Sequence, residues 1–258
     1  MQQNSRRAFL KNISLAGLVT TCLPPLNVEA ISPAIDTSLK EDNLIFLFQG
    51  DSITDGNRGR NNDPNHIMGH GYAFSIASRV GADFPEKHLS FYNRGISGNK
   101  ITDIEVRWQK DAFDLKPDVL SILVGVNDVD SVIKQKDIVT SEKFEEIYRM
   151  VLTQTKAQLP ECLLVICEPF ILPVGRVKDN WATWENEIKK RQNIAARLSK
   201  EYNAVFVPLQ SIFNKAAAHP NSEYWIWDGI HPTVAGHELI TREWLKQVGK
   251  KLRFLKKY

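Results

Sequence analysis

Four short segments of the 258-residue chain hold the residue types that acyl transfer needs: Gly50-Asp51-Ser52, Asn93 to Gly98, Gly125 to Asp128, and Asp228 to Pro232. A serine hydroxyl becomes a useful nucleophile when a base takes its proton, a third group orients that base, and donors meet the developing oxyanion. Ser52 is the candidate nucleophile. His231 is the candidate base, and the Pro232 that follows biases it away from helical geometry and marks a turn. Asp228, three residues earlier, is close enough to reach His231 Nδ1, fix its tautomer and stabilise the imidazolium. The candidate oxyanion donors are the backbone N–H groups of Ser52 and Gly95 and the side-chain amide of Asn127. Glycine at 95 lets the main chain approach a reacting oxygen without a Cβ in the way. Singly, each residue is as readily a turn, a helix cap or a loop histidine. Their joint occurrence, each after an apolar run, carries the weight.

The intervening sequence says how these segments are held together. Apolar runs rich in β-branched or aromatic residues fill 44–49, 89–94, 118–125, 162–168 and 204–209. Several are apolar on successive residues, the pattern of strands buried on both faces. Helical spacing covers 72–81, 101–113, 141–159, 184–202 and 233–252. This alternation predicts one doubly wound α/β domain over residues 44–258, built on a mainly parallel five-stranded sheet. In such sheets, ligands sit beyond the carboxyl ends of the strands, where the winding reverses. Ser52, Gly95 and Asn127 each follow a predicted strand, and Asp228 and His231 follow the fifth through a short helix. Every candidate is thus delivered to one edge.

The blocks GDSIT, NRGISG, GVND and DGIHPT together resemble the four signature blocks of the SGNH hydrolases, also called GDSL esterases. The serine, glycine, asparagine and histidine of that name fall on Ser52, Gly95, Asn127 and His231, and the partner aspartate on Asp228. The resemblance covers nearly all of residues 44–250. It implies a flavodoxin-like three-layer α/β/α fold and hydrolysis of esters or thioesters with no metal or other cofactor. Ile53 stands where the family name has leucine, an apolar exchange.

A net charge of +3 and the lack of any basic run interleaved with aromatics argue against nucleic acid as a partner. The basic end, 250–258, reads as a solvated helix terminus. Residues 1–30 follow the order of an export signal. Arg6, Arg7 and Lys11, similar to a twin-arginine pattern, precede the short apolar run 12–20 and then Val28-Glu29-Ala30. Cleavage after Ala30 is expected, leaving a polar lead-in over 31–43 and a periplasmic or extracellular protein. The run falls short of the roughly 20 apolar residues of a membrane span. Lipid anchoring at Cys22 is disfavoured by the bulk of Thr21. Cys162 and Cys167 share one predicted strand, about 16 Å apart at roughly 3.3 Å per residue, too far to bridge.

His66, His70 and Asp63 occupy a loop rich in Gly and Asn, which argues for pocket shaping over metal binding. His237 reads as a helix residue near the core boundary. Trp225 and Trp227 read as core or wall packing, whereas Trp181 and Trp184 are candidates for a sugar platform. Three functions compete. One is an exported esterase that deacetylates O-acetylated carbohydrate through an acyl-enzyme. Another is a lysophospholipase or thioesterase for longer acyl chains. The third is a non-catalytic flavodoxin-like binder, disfavoured because residues 51–62 show no phosphate-cradling loop. The oligomeric state stays open.

Overall fold

A computed structural model describes residues 41–61, 63–219 and 221–258; the expected export signal (1–30) and most of the expected polar lead-in lie outside the described residues. The apolar runs form five strands, β1 (Ile45–Gly50), β2 (Ser90–Asn93), β3 (Val119–Leu123), β4 (Leu163–Cys167) and β5 (Val205–Val207). All pair in parallel, in the order β2-β1-β3-β4-β5. That is the flavodoxin-like winding order, with its reversal between β1 and β3.

The continuous apolar character of the strands follows from burial on both faces. Phe46, Phe48, Val119, Leu123, Val165 and Cys167 point into one core layer. Leu47, Leu120, Ile122, Leu164 and Ile166 point into the other. The first layer is closed by helices α2 (Tyr72–Asp83), α7 (Leu209–Ala216) and α9 (Val234–Val248). The second is closed by α3 (Ile101–Val106) and α5 (Ser141–Gln158). Helix α6 (Trp181–Glu201) serves both, sending Trp184 and Ile188 to the first layer and Ile194, Ala195 and Leu198 to the second. Short helices α1 (Ser52–Asp55), α4 (Val126–Ile133) and α8 (Ser222–Trp225) follow β1, β3 and α7. The Cys162 and Cys167 thiols are buried and share no disulfide. Among the described residues, no helix is long and apolar enough to cross a membrane.

Two helices depart from the sequence reading. The segment 101–113 is not one regular helix: α3 ends at Val106 and a wide turn follows over Gln109–Phe113. Trp108 is buried with its indole N–H on Thr155 Oγ1 at 3.1 Å, and Asp111, Ala112 and Phe113 are buried in succession. Three consecutive inward residues do not fit one apolar stripe of a regular α-helix. Helix α6 starts at Trp181, three residues before the expected start at Trp184, which brings Trp181 into the helix.

Trp244 of α9 ties the first layer to the sheet. Its ring lies 5.6 Å from that of Phe48 and 6.3 Å from that of Phe46. Its indole N–H donates to the buried Ser121 Oγ at 3.0 Å, which removes the penalty for a hydroxyl in the middle of β3. Trp244→Ala is expected to cost about 3–5 kcal/mol of stability, read as a lowered urea midpoint.

Candidate active site

Ser52 is exposed to chemistry by a sharp stop at the end of β1. Asp51 caps the single turn α1, its Oδ1 accepting the Ile53 N–H at 3.0 Å. Gly56, at φ 51°, closes the turn by donating to Ser52 O at 3.0 Å. Burial pushes the Asp51 carboxyl up to about 7. Among the described residues, the Ser52 N–H has no protein acceptor.

His231 arrives from the far end of the chain on a narrow loop. Ile226 bridges Pro232 in antiparallel fashion, and Trp227 N–H donates to His231 O at 3.2 Å. Asp228 Oδ1 takes the N–H groups of Ile230 at 3.0 Å and His231 at 2.7 Å. Its Oδ2 lies 2.8 Å from His231 Nδ1, and His231 Nε2 lies 2.9 Å from Ser52 Oγ. A carboxylate at Nδ1 selects the tautomer with hydrogen on Nδ1, leaving Nε2 to accept from the serine hydroxyl. Partial burial acts to raise the Asp228 carboxyl. The His231 side chain and the two backbone N–H groups outweigh it and draw the group down to about 2. The Arg176 Nε stands 3.7 Å from the same Oδ2.

The oxyanion side departs from expectation. Gly95 is not an available donor: its N–H is buried and donates to Asn93 Oδ1 at 2.9 Å. Its lack of a side chain serves packing, because a Cβ there would lie 2.3 Å from Asp55 N. Three residues on, Gly98 has φ +85° and open space where a Cβ would be. Its N–H has no protein acceptor among the described residues. One hydrogen of the Asn127 amide goes to Asn99 O at 3.1 Å, which holds the amide beside the Gly98–Asn99 peptide and leaves its second hydrogen free. Ser52 N, Gly98 N and Asn127 Nδ2 are therefore the open donors. They flank the β1/β3 reversal, where a doubly wound sheet binds its ligand.

Residues not singled out from sequence hold this edge together. Asp55 Oδ2 accepts both the N–H and the hydroxyl of Ser97, at 3.0 and 2.9 Å. Arg60 binds the same carboxylate through two nitrogens. Asn93 Nδ2 reaches Thr54 O, Asp55 O and Met68 O. Asp128 Oδ1 accepts the Ile101 N–H at 3.1 Å, fixing the start of α3, and burial pushes its carboxyl up to about 7. A polar residue next to each motif was the available signal for these tethers.

The remaining candidates sort by burial. Trp184 is a buried core residue, which removes it as a sugar platform, whereas Trp181 is partly buried and packs one side against the core. Trp227, read as packing, is instead 62% exposed. His237 is buried in α9 and its Nδ1 accepts the Tyr72 N–H at 3.1 Å; burial holds its imidazole down at about 4. His66 and Asp63 lie 3.5 Å apart on the surface. Among the described residues, no three His, Cys, Asp or Glu side chains gather as a cation site.

A 2-1-3-4-5 parallel sheet that presents serine, imidazole and carboxylate at its carboxyl edge has the frame of an esterase of the doubly wound class. The chain belongs to the GDSL-like Lipase/Acylhydrolase family, whose model matches residues 48–239. It is 30% identical over 216 residues to an acetylxylan esterase of Geobacillus stearothermophilus, covering 79% of this chain and 93% of that one. A Parabacteroides merdae protein described as a GDSL-like lipase superposes with a TM-score of 0.78 at 37% identity, covering 81% of this chain and 97% of that one. The crystal structure of an acetylxylan esterase from G. stearothermophilus superposes with a TM-score of 0.73 at 29% identity, covering 82% and 96%. The family, together with these relatives, makes the protein a carboxylic ester hydrolase.

Two outcomes follow from the geometry. Gly95→Ala should destabilise the fold by about 3 kcal/mol, the upper part of the overpacking range, measured by urea unfolding. The Asp228 carboxyl is held below its ordinary value of 3.8, at about 2, so its stabilising contribution is complete above about pH 4 and is lost as pH falls through about 2. The difference in urea midpoint between wild type and Asp228→Asn should therefore be present above about pH 4 and shrink as pH falls from there through about 2.

Proposed function

We propose that the protein is an exported esterase that removes acetyl groups from O-acetylated carbohydrate, with Ser52 as nucleophile, His231 as general base and acid, and Asp228 as the group that orients it. The observation that carries this reading is the unbroken line from Ser52 Oγ to His231 Nε2 at 2.9 Å and from Nδ1 to Asp228 at 2.8 Å. Ser52 Oγ attacks the ester carbonyl carbon while its proton passes to Nε2. The oxyanion is met by the N–H groups of Ser52 and Gly98 and the free hydrogen of the Asn127 amide, with Gly98 taking the place expected of Gly95. The carbonyl re-forms, the bond to the alcohol oxygen breaks, and His231 returns its proton to that oxygen. Water, deprotonated by His231, attacks the acetyl-enzyme; acetate leaves and Ser52 regains its proton.

The acetylxylan esterase activity of the G. stearothermophilus relative supports a carbohydrate substrate. The Arg6-Arg7 and short apolar run of residues 1–30 support export.

Hydrolysis of p-nitrophenyl esters from acetate to palmitate tests the reading. Turnover should be confined to acetate and butyrate; persistence on long chains would move the protein to the lysophospholipase or thioesterase class. Asn127→Ala should lower kcat by about 10²–10³, and Ser52→Ala by far more. Wild-type turnover by Ser52→Ala would refute the serine mechanism.

A further inference from the structure

The mechanism makes no use of Trp227. It is the residue before Asp228 and, of the six tryptophans in the chain, the one whose side chain is mostly in solvent, at 62% exposure. Its ring lies nearly parallel to the His231 imidazole, with centroids 6.3 Å apart and an interplanar angle of 24°. Trp108, Trp225 and Trp244 each place their indole N–H on a protein acceptor; that of Trp227 has none among the described residues. The backbone beneath it is fixed by its own N–H on His231 O and by the Ile226–Pro232 bridge. A large apolar ring is thus held out into water at a set angle, with its base immobile.

The proton path tells which part of a substrate would meet that ring. His231 Nε2 must reach the departing alcohol oxygen, so the alcohol half of the ester lies on the His231 side of Ser52. The oxyanion donors come from the opposite side, on the loop after β2 and the start of α4. We infer that Trp227 is the stacking platform for the sugar ring that bears the ester, placed on the alcohol side of the site. This rests on the ester-hydrolysis reading above and adds to it the surface that recognises the carbohydrate. A pyranose offers C–H groups on one flat face, which suit the electron-rich face of an indole. The free indole N–H remains as a donor to a ring hydroxyl.

Steady-state kinetics on an acetylated xylooligosaccharide and on ethyl acetate, whose alcohol has no ring, test the assignment in wild type, Trp227→Ala and Trp227→Phe. The ratio of kcat/KM on the saccharide to that on ethyl acetate should fall about 10-fold in Trp227→Ala, the scale of one lost apolar contact in a substrate site. Trp227→Phe should recover most of it. Competitive inhibition by the deacetylated xylooligosaccharide, a readout that needs no turnover of the sugar, should weaken by a similar factor. An unchanged ratio overturns the platform, whether both activities fall together or neither falls; an equal fall would mean that the ring only braces Asp228 and His231. A wild-type protein that cleaves ethyl acetate but no acetylated saccharide overturns the carbohydrate reading, and the platform with it. If Trp227→Ala fails to fold, Trp227→Ile carries the same comparison.

Discussion

The site depends on one carboxylate being fully employed. Asp228 spends one oxygen on the backbone of the loop that carries His231 and the other on the imidazole itself. The first pair of bonds shapes the loop; the second sets the tautomer. Loop geometry and imidazole orientation therefore cannot be varied independently, and a side chain that satisfied only one of them would leave Nε2 misdirected toward Ser52. The three-residue spacing from Asp228 to His231 is what allows one group to do both.

On the other side of Ser52, the same economy is achieved by packing. The loop after β2 is drawn against α1 by the Gly95 contact with Asp55 N, by Asn93 reaching three carbonyls, and by Asp55 holding Ser97. Ser52 and the loop that carries the proposed oxyanion donor Gly98 are thereby tied to each other by packing and hydrogen bonds. Preorganised donors matter because they need no reorientation when charge develops on the substrate. The buried polar groups that achieve this are nearly all hydrogen-bonded, as a low-dielectric interior requires.

Much of this was legible in the sequence. Strand positions, the doubly wound order of elements, and Ser52, Asp228 and His231 all follow from local pattern, because each strand writes its own apolar run and each reactive residue sits at the end of one. What local pattern lacks is the partner of each backbone group. Gly95 and Gly98 belong to one short segment and look alike; only the assembled fold shows that Asn93 already occupies the Gly95 N–H. The break of 101–113 depends on Trp108 finding Thr155 in another helix, and Trp181 packs against the core because α6 begins earlier than its periodic stretch suggests. Asp55 and Asp128 differ in kind: a polar residue beside a motif is their only local sign, and their roles are contacts across the fold, with Ser97 and with Ile101.

Ser52 and His231 meet across 179 positions of chain, one at the exit of the first strand and the other ahead of the last long helix. During synthesis the proposed nucleophile therefore emerges early and waits for most of the polypeptide before its proposed base exists. Contacts of such long sequence separation are costly in loop-closure entropy and form late. Assembly of the proposed triad is thus bound to completion of the domain, and a partly made chain lacks the imidazole that Ser52 meets in the finished fold.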